Sequence, residues 1–331
     1  MPVLSNAFFQ FTQTLVHGKT KLVRTFYNLR LSSQNRTVFF ETVAHMVDVD
    51  DTNDVVFIDA LLSARLERTE GLANARFVEA RARQTTGSKA AWMEVAGAHA
   101  LFDGPDSPLT QSFGLGMQDE VTPADFETIE AFFRDRNAPV YLEVSPLASE
   151  ELLSQLNERH YRPIEYTCVL CRRIGPNFRL PRSRNETTSV RRITTDESEQ
   201  WAQTSARGWS EHPEFTEMIL GFGRTFASTV GATGMQAEIA GKGIATGVVF
   251  IADGVALLAG ASTIPEARRQ GAQSALLEAR LRYAVEQGCD LAMMCAHPGS
   301  PSQRNAQRNG FQIAYTRTKW KLDFPNREVA N

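Results

Sequence analysis

The sequence predicts a mixed α+β fold with mostly antiparallel strands, built twice over. Three observations carry this expectation. Helix and strand signals alternate through two long stretches, three strand-like runs follow one another directly between residues 235 and 264, and a helix–strand unit recurs at an offset of about 150 residues.

Taken in order, Phe57, Ala60, Leu61 and Ala64 recur at the spacing of an amphipathic helix that runs on toward Phe77. Ala90 to Phe102 reads as a strand ended by Asp103-Gly104-Pro105, and a second strand lies around Leu109 to Leu115. Thr122-Pro123 with Asp125 starts a helix: a hydroxyl cap, a proline whose missing donor costs nothing there, and an acid facing the helix dipole. Phe126, Ile129, Phe132 and Phe133 form its apolar stripe. Val140 to Val144 is a short strand, Ser149 caps a helix from Glu150 to Arg159, and Tyr161 to Arg172 is a closing strand. Residues 175–188, with two prolines and several polar residues, have linker composition.

A second alternation follows. Val190 to Ile193 is a strand, and Thr194 with Glu197 is a capping box that opens a helix through Arg207. Helical spacing resumes from Phe215 to Phe226. Strands then run from Met235 to Ala240, Gly243 to Ile251 and Val255 to Ile264, with turns at Gly241-Lys242-Gly243 and Asp253-Gly254. Gly243 to Ala261 nearly reaches membrane-spanning length, but Asp253-Gly254 at its middle makes it a hairpin. A long helix carries Leu277, Leu281, Ala284 and Val285 on one face. Leu291 to Cys295 is a buried strand, Ser300-Pro301-Ser302-Gln303 is a capping box, and Phe311 to Leu322 closes the chain with an alternating strand.

The repeat pairs Ser149–Leu170 with Ser300–Trp320. Each contains a capped helix and then a strand, with Tyr166-Thr167 in one answering Tyr315-Thr316 in the other. The expected organisation is a poorly defined extension over 1–45, a first domain over 46–174, the linker 175–188 and a second domain over 189–325.

Composition excludes several classes. With 331 residues, 42% hydrophobic and 22% charged, the chain is neither disordered, fibrous nor a disulfide scaffold. Four cysteines give no disulfide framework and point to a reducing, cytoplasmic compartment. Cys168-Val-Leu-Cys171 has the spacing of half a zinc site, but it lies in an alternating apolar run without a second pair, so no metal is expected. The net charge is −3, and residues 1–40 carry Lys19, Lys21, Arg24, Arg30 and Arg36 with no acid, so the remaining chain is acidic and unsuited to nucleic acid. That basic leader reads as a peripheral extension, with Met46 a possible true start.

The segment richest in chemistry runs from Ala259 to Leu277: a strand, a short loop with two arginines and a glycine, and a helix leaving directly from the loop. Backbone N–H groups at a helix N-terminus converge on one point, the dipole adds roughly half a positive charge, and Gly271 permits close approach, so the segment is built to cradle an anion. Arg268 and Arg269 add charge-assisted donors.

With its neighbours, Arg268-Arg269-Gln270-Gly271-Ala272-Gln273 resembles the central pattern of the Gcn5-related N-acetyltransferase (GNAT) superfamily, Arg/Gln-x-x-Gly-x-Gly/Ala between a strand and a long helix. Asn309-Gly310-Phe311 before the last strand fits as well. The resemblance covers about 189–322, with about 50–173 as a degenerate copy. It implies a mixed, mostly antiparallel twisted sheet flanked by helices, present twice, and acetyl-CoA or another acyl-CoA as co-substrate. It implies that Ala261, Ser262 and Thr263 face the pantetheine amides, on a strand splayed from its neighbour. Arg268, Arg269, Gln270, Gly271, Ala272, Gln273 and Ser274 would surround the pyrophosphate. Ser302 and Asn305 would flank the pantetheine arm near the thioester.

Two positions depart from the pattern. Gln273 stands at the second glycine, and Ala306 stands where relatives often place a tyrosine acid, which leaves protonation of the thiolate to water or another group. The last strand before the loop carries no carboxylate. Glu211 and His212, after Trp209, are the candidate base residues, and His297 is placed to reach the same cleft. In the first copy, Gly114-Leu-Gly116 is followed by Asp119 and Glu120, which repel phosphate, so that half is expected to wall the acceptor pocket rather than bind coenzyme. The expected function is acyl transfer from an acyl-CoA to a primary amine, on a small molecule or a peptide. The alternative is a catalytically silent CoA-binding regulatory protein. A dinucleotide dehydrogenase is excluded, because the glycine loop comes late and lacks Gly-x-Gly-x-x-Gly with a downstream acid. Oligomeric state is not legible in the sequence.

Overall fold

A computed structural model describes residues 56–175 and 187–324, together with the backbone of 11–16, 19–31 and 38–46. The first compact unit, Met1–Val56, contains an antiparallel sheet of β1 (Phe11–Val16), β2 (Lys19–Leu31) and β3 (Val38–Met46), so strands stand where a poorly defined extension was expected. Most of the 175–188 linker lies outside the described residues. Phe57–Asn331 is the second compact unit.

That unit opens with α1 (Ala60–Gln84), capped by Asp59, whose carboxylate accepts from the Leu62 amide at 2.8 Å. The expected stripe does not hold at its start: Phe57 and Leu61 are 83% and 82% exposed. The inward face is instead Ser63, Leu66, Glu67, Ala73, Phe77 and Val78, and its polar members disguise the helical period. The strand expected over Ala90–Phe102 is a hairpin, β4 (Ala91–Val95) and β5 (Ala98–Phe102). Ala96 and Gly97 turn it with φ of 47° and 72°, the left-handed pair that matches strand twist. β6 (Gln111–Phe113) and β7 (Val140–Val144) flank α2 (Pro123–Arg134), where Thr122 and Asp125 form a reciprocal capping box and all four residues of the apolar stripe are buried. In α3 (Glu150–Glu158) the Ser149 hydroxyl makes no cap bond, contrary to expectation. β8 (Arg162–Arg173) ends the half.

The other half comprises β9 (Thr188–Arg192), α4 (Ser198–Arg207), α5 (Thr216–Phe226), β10 (Ala232–Ile239), β11 (Lys242–Ala252), β12 (Val255–Thr263), α6 (Ala272–Glu286), β13 (Leu291–Ala296), α7 (Pro301–Arg308) and β14 (Gln312–Leu322). The Thr194–Glu197 capping box is present, but it opens a 3₁₀ turn that leads into α4.

One mixed, mostly antiparallel eleven-stranded sheet runs through both halves in the order β4-β5-β6-β7-β14-β8-β13-β12-β11-β10-β9. The halves exchange their last strands: β14 sits against β7 of the first half, and β8 sits against β13 of the second. Their central pairing is two-fold symmetric at an offset of 150 residues, because Thr167 pairs with its own counterpart Arg317, and Tyr166↔Thr318 mirrors Cys168↔Thr316. Each core therefore borrows from the other half. Cys168, Leu170 and Ile174 pack with Leu276, Leu277 and Leu281, while Trp320, Leu322 and Phe324 cover Phe126 and Ile129. Cys168 and Cys171 are buried strand residues, burial pushes the Cys171 thiol up to about 11, and no metal-binding group occurs among the described residues. No helix among those residues is long and apolar enough to cross a membrane.

Where α1 crosses the exchanged strands, Arg317 of β14 meets Glu67 at 3.3 Å, Glu70 at 2.7 Å and Glu143 of β7 at 2.9 Å, all inside the protein. The Tyr315 hydroxyl donates to Glu67 at 2.8 Å. Burial pushes the Glu67 carboxyl up to about 7 despite Arg317. Burial acts to raise Glu70 as well, but the charge and hydrogen bonds of Arg317 outweigh it and hold Glu70 below the usual carboxylate range. A folded-state value above the unfolded one means the native protein binds the extra proton, so Glu67 costs stability progressively as pH rises from about 4.5 to about 7. A Glu67→Gln variant, which still accepts from Tyr315, is expected to lose that decline. Thermal unfolding between pH 5 and 8 checks it: the melting temperature of the variant should rise relative to wild type as pH increases.

Candidate active site

Strand β12 is paired on both sides only at its beginning. It runs parallel to β13 at Val255↔Leu291, Ala256↔Ala292 and Leu257↔Met293, and there the ladder with β13 stops. From Leu258 onward its edge toward β13 is open, as the sequence expectation of a splayed strand requires. On the β11 side, the register shifts between Thr246↔Ser262 and Val248↔Ala259, a bulge centred on Gly260 with φ of 59°. Bulges re-aim a strand, and here the result is that Gly260 and Ala261 are exposed while Ser262 and Thr263 are buried. Ser262 hydrogen-bonds the Thr246 hydroxyl and the Ser205 carbonyl, both at 3.1 Å. Gly208 is needed beside it, since a Cβ there would stand 2.6 Å from the Ser262 hydroxyl.

The loop after β12 makes a 3₁₀ turn over Pro265–Ala267, and its residues Arg269 and Gly271 take left-handed φ values of 65° and 85°. Gly271 is the N-cap of α6; no side chain caps that end and no acid lies in the first turn. The first intrahelical bond is Ala275 N–H to Gly271 C=O, so the preceding amides remain available to a ligand. Gln273 at the second glycine position does not obstruct, because its side chain folds onto the strand and donates to Thr263 Oγ1 at 2.6 Å. Arg268 reaches Glu211 Oε2 at 2.6 Å and the Gly208 carbonyl at 3.2 Å. Across the opening, α7 is capped by Ser300, which accepts from the Gln303 amide at 3.2 Å. The Gln303 side chain accepts from Gly299 rather than completing the box on Ser300.

These elements enclose a cavity of about 1020 Å³. Ala261, Ser262, Thr263, Arg268, Arg269, Gly271, Ala272, Gln273, Ser274, Ser302 and Asn305 all line it, as do Glu211 and His212. Gln270 does not; its amide donates outward to the Glu266 carbonyl at 3.0 Å. His297 is exposed, faces the carbonyl of Pro298 and lies outside the lining. Ala306 is fully buried in the core, so the face of α7 toward the cavity is Ser302 and Asn305. Every lining residue falls between 201 and 305, so the first half, expected to wall the acceptor pocket, contributes no residue to the lining. In the first half, Leu152 packs closely under Gly114-Leu115-Gly116: a Cβ at Gly116 would come 2.8 Å from it.

Several lining residues escaped the sequence reading. Trp201, Ile219, Phe222 and Phe226 form an apolar wall, Cys295 contributes a thiol whose partner is Glu70 at 3.1 Å, and Arg280 reaches in from α6. Only Arg280 left a sequence signal, as a charge set inside the buried stripe of Leu276, Leu277, Leu281 and Ala284. Beside the mouth, Trp209, His212 and Phe215 form an aromatic cluster with centroids 6.0–6.3 Å apart, Trp209 meeting Phe215 edge to face and His212 tilted against both.

No protein-family model and no curated protein sequence matches this chain. Solved structures do. A GCN5-related N-acetyltransferase from Kribbella flavida is similar at 19% identity and a TM-score of 0.51, over 80% of this chain and 97% of that one. A tandem GNAT protein from the clavulanic acid biosynthesis pathway is similar at 14% identity and a TM-score of 0.51, over 69% of this chain and 79% of that one. With the exchanged halves, the duplicated sheet and these likenesses together, the chain has the fold of the GCN5-related N-acetyltransferases in its tandem arrangement.

Proposed function

We propose that this protein transfers an acyl group from acetyl-CoA or another acyl-CoA to a primary amine. The observation that carries this reading is the open edge of β12 running directly into an uncapped, acid-free helix start inside one cavity. An extended arm with two amides can pair with such an edge as an added strand does, while its phosphates meet the amides after Gly271 and the guanidinium groups of Arg268 and Arg269. Only the second half is equipped this way; the first half stands behind the lining, with Phe77 packed on Phe222 and Phe226 and Glu70 bonded to Cys295.

The chemistry needs little more than alignment. The neutral amine nitrogen adds to the thioester carbonyl, the C–N bond forms, the C–S bond breaks and the thiolate takes up a proton. In this reading, N–H groups on the open edge of β12 polarise the carbonyl oxygen, and Ser302 and Asn305, which line the cavity, flank the departing sulfur. Holding the thioester on one rigid strand edge beside the amine supplies much of the acceleration. Glu211 faces the same cavity and is the group we assign to attract and deprotonate the ammonium form of the acceptor.

Glu211 is engaged with Arg268, across side chains 60% and 40% exposed. An exposed pair of this kind is worth about 0.2–1 kcal/mol. A Glu211→Gln variant is therefore expected to bind coenzyme slightly more tightly, by roughly 1.5- to 5-fold, because the phosphates no longer compete for Arg268. Its KM for the amine should rise. Calorimetric titration with CoA and initial rates with varied amine check the two halves of this expectation.

The reading itself is tested by thiol release from acetyl-CoA against a panel of small-molecule and peptide amines. Amine-dependent release supports it; firm coenzyme binding with no release across the panel favours the regulatory alternative.

A further inference from the structure

The side chain of Arg280 is an anomaly that acyl transfer from a simple thioester does not use. It is only 3% exposed, it lines the cavity, and no carboxylate pairs with it among the described residues. Its contacts are long hydrogen bonds to backbone carbonyls: Nε donates to Leu276 at 3.3 Å, and Nη1 donates to Val248 at 3.3 Å and Ala259 at 3.4 Å. Nη2 makes no hydrogen bond to any described residue. Space has been cleared for the group, since a Cβ at Gly247 would lie 3.2 Å from the guanidinium carbon. Burial without an anion pulls the guanidinium down to about 10. A cation held this way lacks a partner that a ligand can bring.

Its position says which part of the ligand. The residues after Gly271 mark the phosphate end of the cavity, and Arg280 lies at the other end, beside Ala259 at the bulge where β12 and β13 part. It stands on α6, the helix that also forms the phosphate end, whereas the acceptor-side groups Trp209, Glu211 and His212 come from the connection between α4 and α5. Building on the transferase reading above, we propose that Arg280 binds a carboxylate on the acyl group, so that the preferred donor is the CoA thioester of a dicarboxylic acid.

The test compares succinyl-CoA with butyryl-CoA, which share a four-carbon chain and differ at its end by a carboxylate. Isothermal titration of the wild-type protein is expected to show succinyl-CoA binding at least about tenfold more tightly, as charge-assisted hydrogen bonds to a buried guanidinium require. In Arg280→Met the two affinities should converge on the butyryl-CoA value, and Arg280→Lys should keep part of the difference; circular dichroism checks that both fold. Equal wild-type affinities overturn the proposal whether or not the variants fold, and so does a preference that survives in Arg280→Met. A carboxylate preference found only among amine acceptors also overturns it. Binding of butyryl-CoA without discrimination leaves the transferase reading standing, whereas failure to bind any CoA species removes both.

Discussion

Gly271→Glu is expected to abolish the thermal stabilisation that acetyl-CoA gives the wild-type protein. At a hundredfold excess over its dissociation constant, a ligand adds about 2.7 kcal/mol, which for a unit of this size is a rise of roughly 5–10 °C. The substituted carboxylate stands at the N-terminus of α6, against the amides and guanidinium groups that the phosphates need. A second effect must be separated from this one. Gly271 has φ of 85°, so any side chain strains the backbone and costs about 1 kcal/mol of stability, which lowers the melting temperature of the protein without ligand. Gly271→Ala supplies the control: it carries the same strain without the charge and should retain most of the ligand-induced rise. Equal loss in both variants would assign the effect to the backbone alone.

Removing Arg317 is expected to have the largest effect on stability. Three carboxylates, from Glu67, Glu70 and Glu143, converge on it inside the protein, and Lys319 reaches only Glu143 among them, at 3.2 Å. Breaking a buried ion pair by deleting one partner costs about 3–5 kcal/mol, because the remaining charge is left without compensation. Arg317→Met should therefore shift the urea midpoint sharply downward or prevent accumulation of folded protein. The double variant Arg317→Met, Glu70→Gln should recover part of the loss, since one stranded charge is gone. The effect should be global, because the cluster ties α1 and β7 to the exchanged strand β14, whose Trp320 and Leu322 pack on the first core and which pairs with β8 of the second.

Much of the second half was legible because its signals are local. Asp253-Gly254 turns a hairpin, Thr194 and Glu197 close a capping box, and the two arginines and glycine before α6 mark a loop that lines the cavity. The duplication was legible at its true offset of about 150 residues. What it meant for topology was not. Alternation along Phe311–Leu322 says which side chains face inward, but a strand carries no comparable mark of its neighbour, so the insertion of β14 between β7 and β8 leaves no trace in the pattern. Helix α1 was misread for a related reason: its buried face holds Ser63 and Glu67, which are satisfied by Ser145, Tyr315 and Arg317 far along the chain. The hairpin at Ala96-Gly97 was missed because an alanine in a left-handed turn looks like any strand alanine. At the site, the loop residues were found by their chemistry, whereas the aromatic wall of Trp201, Phe222 and Phe226 became visible only through the fold.

A crystal structure with bound acetyl-CoA tests the central claim most directly. The account predicts the diphosphate on the amides following Gly271, with Arg268 turned from Glu211 toward it, and the extended arm hydrogen-bonded to β12 beyond Leu257, its thioester near Ser302 and Asn305. A coenzyme bound elsewhere on the chain, with the gap between β12 and β13 empty, would contradict it.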